Sequence, residues 1–271
     1  MKSIQLNGRT SIPMLGFGTW KLTGEDCLKS VQLTLQAGYR HIDTADKYGN
    51  HTEVGKAILQ SDISRNEIFL TTKIWRTDLA KDAVPLACER FLQELQTDYI
   101  DLLLIHWPNK DIPIGETLEA MNKLREAGKI RTIGVSNFTK HHLKDALAAG
   151  VEITNNQVEI HPSFNQEEMR AFCQEKGISV TAYSPLGRGQ DIALPAIQDI
   201  AQKHQTTPAQ VILAWLLHRN IIAIPKSEKQ EEIESNLKAP ELVLTKEDVE
   251  VINSVPQGPR MVNPDFAEWD Y

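Results

Sequence analysis

The chain has 271 residues, 41% of them hydrophobic and 24% charged, and a formal net charge of −7. That length suits one large domain with a full-size core, and about 250 residues is the usual size of a β/α barrel. The acidic balance argues against non-specific binding to nucleic acid or an anionic membrane, and no apolar run approaches the ~20 residues needed to span one.

The N-terminus lacks the apolar segment of a secretory signal, so the expected compartment is the cytoplasm. Ile4-Gln5-Leu6, Asn7-Gly8 and the stretch 9–12 read as a small β-hairpin, because Asn-Gly tolerates the positive φ of a two-residue turn. Short apolar runs follow at 15–19, 39–43, 68–73, 99–106, 130–136, 154–158, 178–183 and 221–225. Segments with apolar residues at helical spacing lie between them, at 27–37, 83–95, 118–127, 167–176 and 208–217. Gly38, Gly128, Gly150 and Gly177 each close a helical pattern just before a strand, where a left-handed residue is wanted. Thr207-Pro208 opens another helix, with proline where its missing N–H does no harm.

Strand and helix in strict alternation imply a parallel sheet, and eight such units imply closure into a (β/α)8 TIM barrel. No linker divides the chain, so residues 1–271 are expected to form a single domain. The end, 255–271, is too Pro-rich for a helix yet carries Phe266, Trp269 and Tyr271. It is expected to be an ordered tail lying on the surface. Cys27, Cys88 and Cys173 form no CxxC pair and suggest neither a metal site nor a disulfide framework.

Polar residues fall at the C-terminal ends of the predicted strands, which meet on one face of a barrel and build its active site. They are Asp43, Lys73, His106, Ser136 with Asn137, Gln157 with Glu159, Tyr183 with Ser184, and Lys226 with Ser227. Asp43, Lys73, His106 and nearby Tyr48 make a proton-transfer group. A free phenol is a poor acid near neutrality, and a neighbouring ammonium is expected to lower its pKa while Asp43 holds that ammonium in place. A neutral His106 can donate to a substrate carbonyl oxygen. Trp20, Trp75 and Trp107 follow three of the strands and would wall the same pocket.

The stretches GFGTW (16–20), GYRHIDTADKYGNHTEVGKAI (38–58), LTTKIW (70–75), DYIDLLLIHWP (98–108), GVSNF (134–138), NNQVEIHP (155–162), AYSPLGRG (182–189) and IPKS (224–227) resemble the aldo-keto reductase superfamily over essentially the whole length. Within it the chain is similar to the bacterial 2,5-diketo-D-gluconate reductases of the B type, also studied as methylglyoxal reductases. The resemblance implies reduction of aldehydes and ketones to alcohols by hydride from NADPH, a cofactor that no G-x-G-x-x-G fingerprint announces here. It implies Asp43, Tyr48, Lys73 and His106 as the catalytic tetrad, with Tyr48 as general acid. Ser136, Asn137 and Gln157 would bind the nicotinamide carboxamide, and Tyr183 would stack on its ring. Ser184, Pro185, Leu186, Gly187 and Arg188 would follow the pyrophosphate, and Lys226, Ser227 and Asn236 the adenosine end. Gly18, Thr19, Trp20 and Asp43 would complete the cofactor contacts.

The chain departs from the NADPH-selective pattern by carrying Glu232 in place of an arginine and Ser235 in place of a glutamate. A carboxylate repels a 2′-phosphate, so use of NADH is also expected. The expected substrate pocket comprises Trp20, Lys47, Trp75, His106 and Trp107, with Lys47 placed to attract a carboxylate. No metal, nucleic acid or membrane partner is expected, and the protein is expected to be a monomer. Two other chemistries fit parts of this pattern. Lys73 stands where a Schiff-base aldolase keeps its nucleophile, although Asp43 offers it a salt bridge. A nucleotide-sensing barrel would have no need of Tyr48 and His106 together.

Overall fold

The computed structural model of the protein describes residues 2–6, 8 and 10–271. The chain begins with β1 (Ser3–Gln5) paired antiparallel with β2 (Ser11–Pro13), Ile4 opposite Ile12. The expected turn residue Asn7 lies outside the described residues. The pairing around it, Leu6 N–H to the Thr10 carbonyl at 2.8 Å, is wider than a two-residue turn closes.

Eight parallel strands follow in one sheet, ordered as in the chain: β3 (Phe17–Gly18), β4 (His41–Asp43), β5 (Phe69–Ile74), β6 (Ile100–Ile105), β7 (Ile130–Ser136), β8 (Asn155–Glu159), β9 (Ser179–Tyr183) and β10 (Ile221–Ala223). The Gly16 N–H donates to the Ala223 carbonyl at 2.9 Å and the Ala223 N–H to Met14 at 2.8 Å, which closes the sheet into a barrel. Every residue of β5 and β6 is buried, as strands covered on both faces require.

The five periodic segments become α1 (Gly24–Ala37), α3 (Ala83–Leu95), α4 (Ile114–Glu126), α6 (Glu167–Glu175) and α8 (Pro208–His218). The outer layer is completed by α2 (His51–Leu59), α5 (Lys140–Ala148), α7 (Pro195–Lys203), α9 (Gln230–Leu237) and α10 (Lys246–Asn253). The four glycines expected to end helices all have positive φ. Thr207 caps α8 by accepting the Gln210 N–H, with Pro208 in the first turn.

Most of the core lies between the strands and these helices. A second, smaller cluster sits at the N-terminal end of the barrel, where Leu6 and Ile12 of the hairpin pack on Phe69, Leu102, Leu104 and Ile222. The hairpin thus stoppers the floor and leaves the C-terminal end as the mouth. Among the described residues no helix is long and apolar enough to cross a membrane.

Candidate active site

β4 ends on Asp43, β5 carries Lys73 next to its end, and β6 runs directly into His106. The short 3-10 turn Asp46–Tyr48 follows β4. The Lys73 side chain is fully buried; Nζ donates to Asp43 Oδ1 at 2.5 Å and to the Thr44 carbonyl at 2.8 Å. From across the barrel, Gln157 Nε2 donates to the other Asp43 oxygen at 2.7 Å. Tyr48 sits above this pair, its ring centroid 5.2 Å from Lys73 Nζ and 5.7 Å from the His106 ring. The four groups expected to meet do meet.

Asn50, which the sequence reading did not single out, ties the Tyr48 loop down. It is buried, donates to the Thr19 and Leu22 carbonyls at 3.0 and 2.9 Å, and accepts from Thr44 Oγ1 at 2.6 Å. An asparagine can satisfy three groups here because its amide both donates and accepts.

Burial lowers the Lys73 pKa, and Asp43 offsets part of that. Burial, then Lys73, holds His106 well below the usual imidazole range, so the ring is neutral. Its Nδ1 is buried with no hydrogen-bond partner among the described residues. For Tyr48 the direction expected from sequence is reversed: burial, then Asp43 and Tyr183, raises its pKa well above 10.0. The ammonium of Lys73 is answered by Asp43 at 2.5 Å. The phenol therefore faces a nearly neutral pair, and desolvation dominates. Tyr48 is a protonated phenol throughout the neutral range.

Polar side chains at the ends of β7, β8 and β9 form one connected set beside the tetrad. Ser136 Oγ donates to the Gln157 carbonyl at 2.8 Å, Asn137 Nδ2 to the His106 carbonyl at 3.0 Å, and the Tyr183 hydroxyl to Asn137 Oδ1 at 2.7 Å. Asn137 and Ser184 both have positive φ, 63° and 47°, which turns the chain sharply at the strand ends. Gly18 lets β3 lie close to the last strand, since a Cβ there would stand 2.9 Å from the Ile224 carbonyl. Thr19 Oγ1 donates to the Asp43 carbonyl at 3.1 Å, and Arg188 reaches over the Trp20 ring at 5.0 Å.

This set fits the amide, ring and pyrophosphate of a nicotinamide dinucleotide. The side chains expected to meet the adenosine end have acidic neighbours. Lys226 pairs with Glu228 at 2.9 Å, and Ser227 Oγ donates to Glu232 at 2.7 Å. Lys229 pairs with the same Glu232 at 2.8 Å, while Asn236 is buried nearby in sequence on α9.

The substrate side is aromatic. Trp75 meets the His106 ring edge-on at 5.2 Å, and the exposed Lys47 places Nζ 5.2 Å from the Trp75 ring centroid. Trp20 is 42% exposed and borders Arg188 and Lys21. Trp107 is buried beneath Phe266 and Trp269, at 5.4 and 5.3 Å.

Those last contacts revise the expectation of a tail merely lying on the surface. It is ordered, but it folds back over the mouth and wedges Phe266 between Trp75 and Trp107. Glu268 fixes it there, accepting from the Lys110 N–H at 3.1 Å and standing 3.4 Å from Arg76 and 3.2 Å from His142. The aromatic composition of the tail was the only sign of this in the sequence. Cavities of about 480 and 260 Å³ open at the opposite end of the barrel, around Tyr99, Asp101 and Arg131, away from this chemistry.

The profile of the aldo/keto reductase family matches residues 14–256. An aldo-keto reductase of Mycolicibacterium smegmatis is 43% identical over 99% of this chain and 98% of its own. The methylglyoxal reductase DkgB of Yersinia pestis is 41% identical over 96% of this chain and 100% of its own. A crystal structure given the provisional name 2,5-diketo-D-gluconic acid reductase B superposes with a TM-score of 0.93 at 38% identity, covering 96% of this chain and 94% of that one.

Proposed function

Because the chain belongs to the aldo/keto reductase family and is an oxidoreductase, we propose that it reduces small aldehydes and ketones with NADPH. The substrates are dicarbonyls such as methylglyoxal, or keto-sugar acids such as 2,5-diketo-D-gluconate. The observation that carries this reading is the protonated Tyr48 phenol beside a neutral His106, above the buried Lys73–Asp43 pair. The names of the relatives support the substrate classes.

When bound, the dihydronicotinamide supplies the hydride for the carbonyl carbon. The chain's residues do the rest. Ser136, Asn137 and Gln157 would hold the carboxamide, and Tyr183 would fix the ring face. Residues 184–188 would follow the pyrophosphate, and Lys226, Ser227 and Asn236 would hold the adenosine end. Tyr48 and neutral His106 hydrogen-bond the substrate carbonyl oxygen and polarise it. As the oxygen gains negative charge it becomes a stronger base than the Tyr48 phenolate, and the Tyr48 proton moves to it. Lys73 then stabilises the phenolate, with Asp43 keeping the ammonium in place. Trp20, Lys47, Trp75 and Trp107 border the substrate, and Phe266 excludes water above it. Residues 1–271 act as one domain, as a monomer in the cytoplasm.

Tyr48→Phe is expected to lower methylglyoxal turnover by about 10³-fold, at the strong end for one general acid, while NADPH still quenches tryptophan fluorescence. Turnover within tenfold of wild type would remove Tyr48 from the acid role.

A further inference from the structure

A buried chain of side chains outside the tetrad joins the cofactor loop to the tail over the mouth. His161, fully buried, lies between two carboxylates: Nδ1 is 2.9 Å from Asp191 Oδ2, and Nε2 is 3.2 Å from Glu159 Oε1. At the loop end, Asp191 also accepts the Ser163 N–H at 2.8 Å and the Ser163 hydroxyl at 2.7 Å. It abuts Gly187, whose φ is +56°; a Cβ there would stand 2.6 Å from Asp191 Oδ1. At the tail end, Glu159 accepts the Met261 N–H at 2.7 Å and the Val262 N–H at 3.0 Å. A further tail contact, Gly258 N–H to the Ser163 carbonyl at 2.8 Å, falls on the same segment.

Glu159 has all its hydrogen-bond donors only when the tail is docked. Two carboxylates around one imidazolium leave an excess negative charge in the interior. Arg260, on the tail, is a further positive charge within electrostatic reach of Tyr183 and then Glu159. Lifting the tail would take away that cation and both N–H donors, leaving Glu159 buried and under-satisfied, which is strongly unfavourable. The Gly187 end and the Met261 end therefore share one anchor, and ordering either end orders the anchor for the other.

We propose that Glu159 and His161 are positioning residues that couple occupancy of the loop at 184–188 to docking of the tail at 258–262. Filling the loop tightens the tail over Trp75 and Trp107, and a docked tail tightens the loop site by the same factor, as linkage demands. The inference rests on the reading of 184–188 as a pyrophosphate loop.

The test uses the full chain with NADP+ as probe, so that no turnover intervenes. Hydrogen exchange is followed at the Met261 and Val262 amides, and NADP+ affinity by tryptophan fluorescence. In wild type, saturating NADP+ should slow exchange at both amides by about tenfold. Met261→Pro deletes one N–H donor on the tail and should weaken NADP+ binding several-fold. In His161→Gln and Glu159→Gln the protection conferred by NADP+ should disappear even where binding persists. A merely structural role would lower stability in these variants but leave the NADP+ response of the tail intact, and that result overturns the proposal. So does wild-type binding without added protection, a measurement that depends on no variant. If neither NADP+ nor NAD+ binds wild type, the reading of the loop falls, and the coupling with it.

Discussion

Lys47 stands one residue before Tyr48 with its ammonium over Trp75, and no carboxylate pairs with it among the described residues. The neighbouring acids are committed elsewhere, Asp46 to Arg90 and Glu268 to Arg76. A substrate bearing its own carboxylate would meet an unanswered charge there. The ratio of kcat/KM for an ω-oxo acid to that for its methyl ester should fall by roughly five- to tenfold in Lys47→Met and persist in Lys47→Arg. An unchanged ratio in Lys47→Met would assign the lysine to solvent. Glu232 poses the converse case, a carboxylate held by Ser227 and Lys229 at the adenosine end. Glu232→Arg should raise the NADPH-to-NADH ratio of kcat/KM by about tenfold or more, since a guanidinium replaces repulsion by bidentate capture. Parallel assays with the two cofactors decide it.

At the scale of elements, the loop between β4 and α2 is tied down by the hydrogen bonds of Asn50. Asn50→Ala leaves the Thr19 and Leu22 carbonyls without their donor and should cost about 2 kcal/mol or more, read by urea unfolding. It should lower kcat as well, because Tyr48 rides on that loop; unaltered kcat would show that the loop holds itself. The eight strands and five of the helices were legible because alternation and helical spacing depend only on neighbours along the chain. The meeting of Asp43, Tyr48, Lys73 and His106 was legible because a barrel gathers strand ends on one face whatever the sequence. Asn50, Phe266 and the Glu159–His161–Asp191 group were not, since each acts through partners far away in the chain: Glu159 meets Met261, and Phe266 meets Trp75. The Tyr48 pKa went astray for a related reason. The ammonium beside it could be read from sequence, but its neutralisation by Asp43 and the depth of burial could not.

For the whole molecule, buried histidines contribute to both sides of the pH dependence of stability. Burial alone would lower the pKa of His161, but hydrogen bonds to Asp191 and then Glu159 raise it from 6.5 to about 9. Its stabilisation is complete below pH 6.5 and is lost as pH rises through about 9, a loss of about 3 kcal/mol. His41 runs the other way. Burial lowers its pKa to about 4 despite Asp43, so the unfolded chain takes up its proton first and stability declines as pH falls from 6.5 toward 4. Urea midpoints should therefore peak near pH 6.5, and His161→Gln should flatten the alkaline side. An alkaline decline of equal size in that variant would assign the loss to other groups. A last consequence comes from the hairpin. With Leu6 and Ile12 lodged against Phe69 and Leu102, the floor of the barrel is solid packing, so the chemistry of the strand ends is served from the opposite face alone.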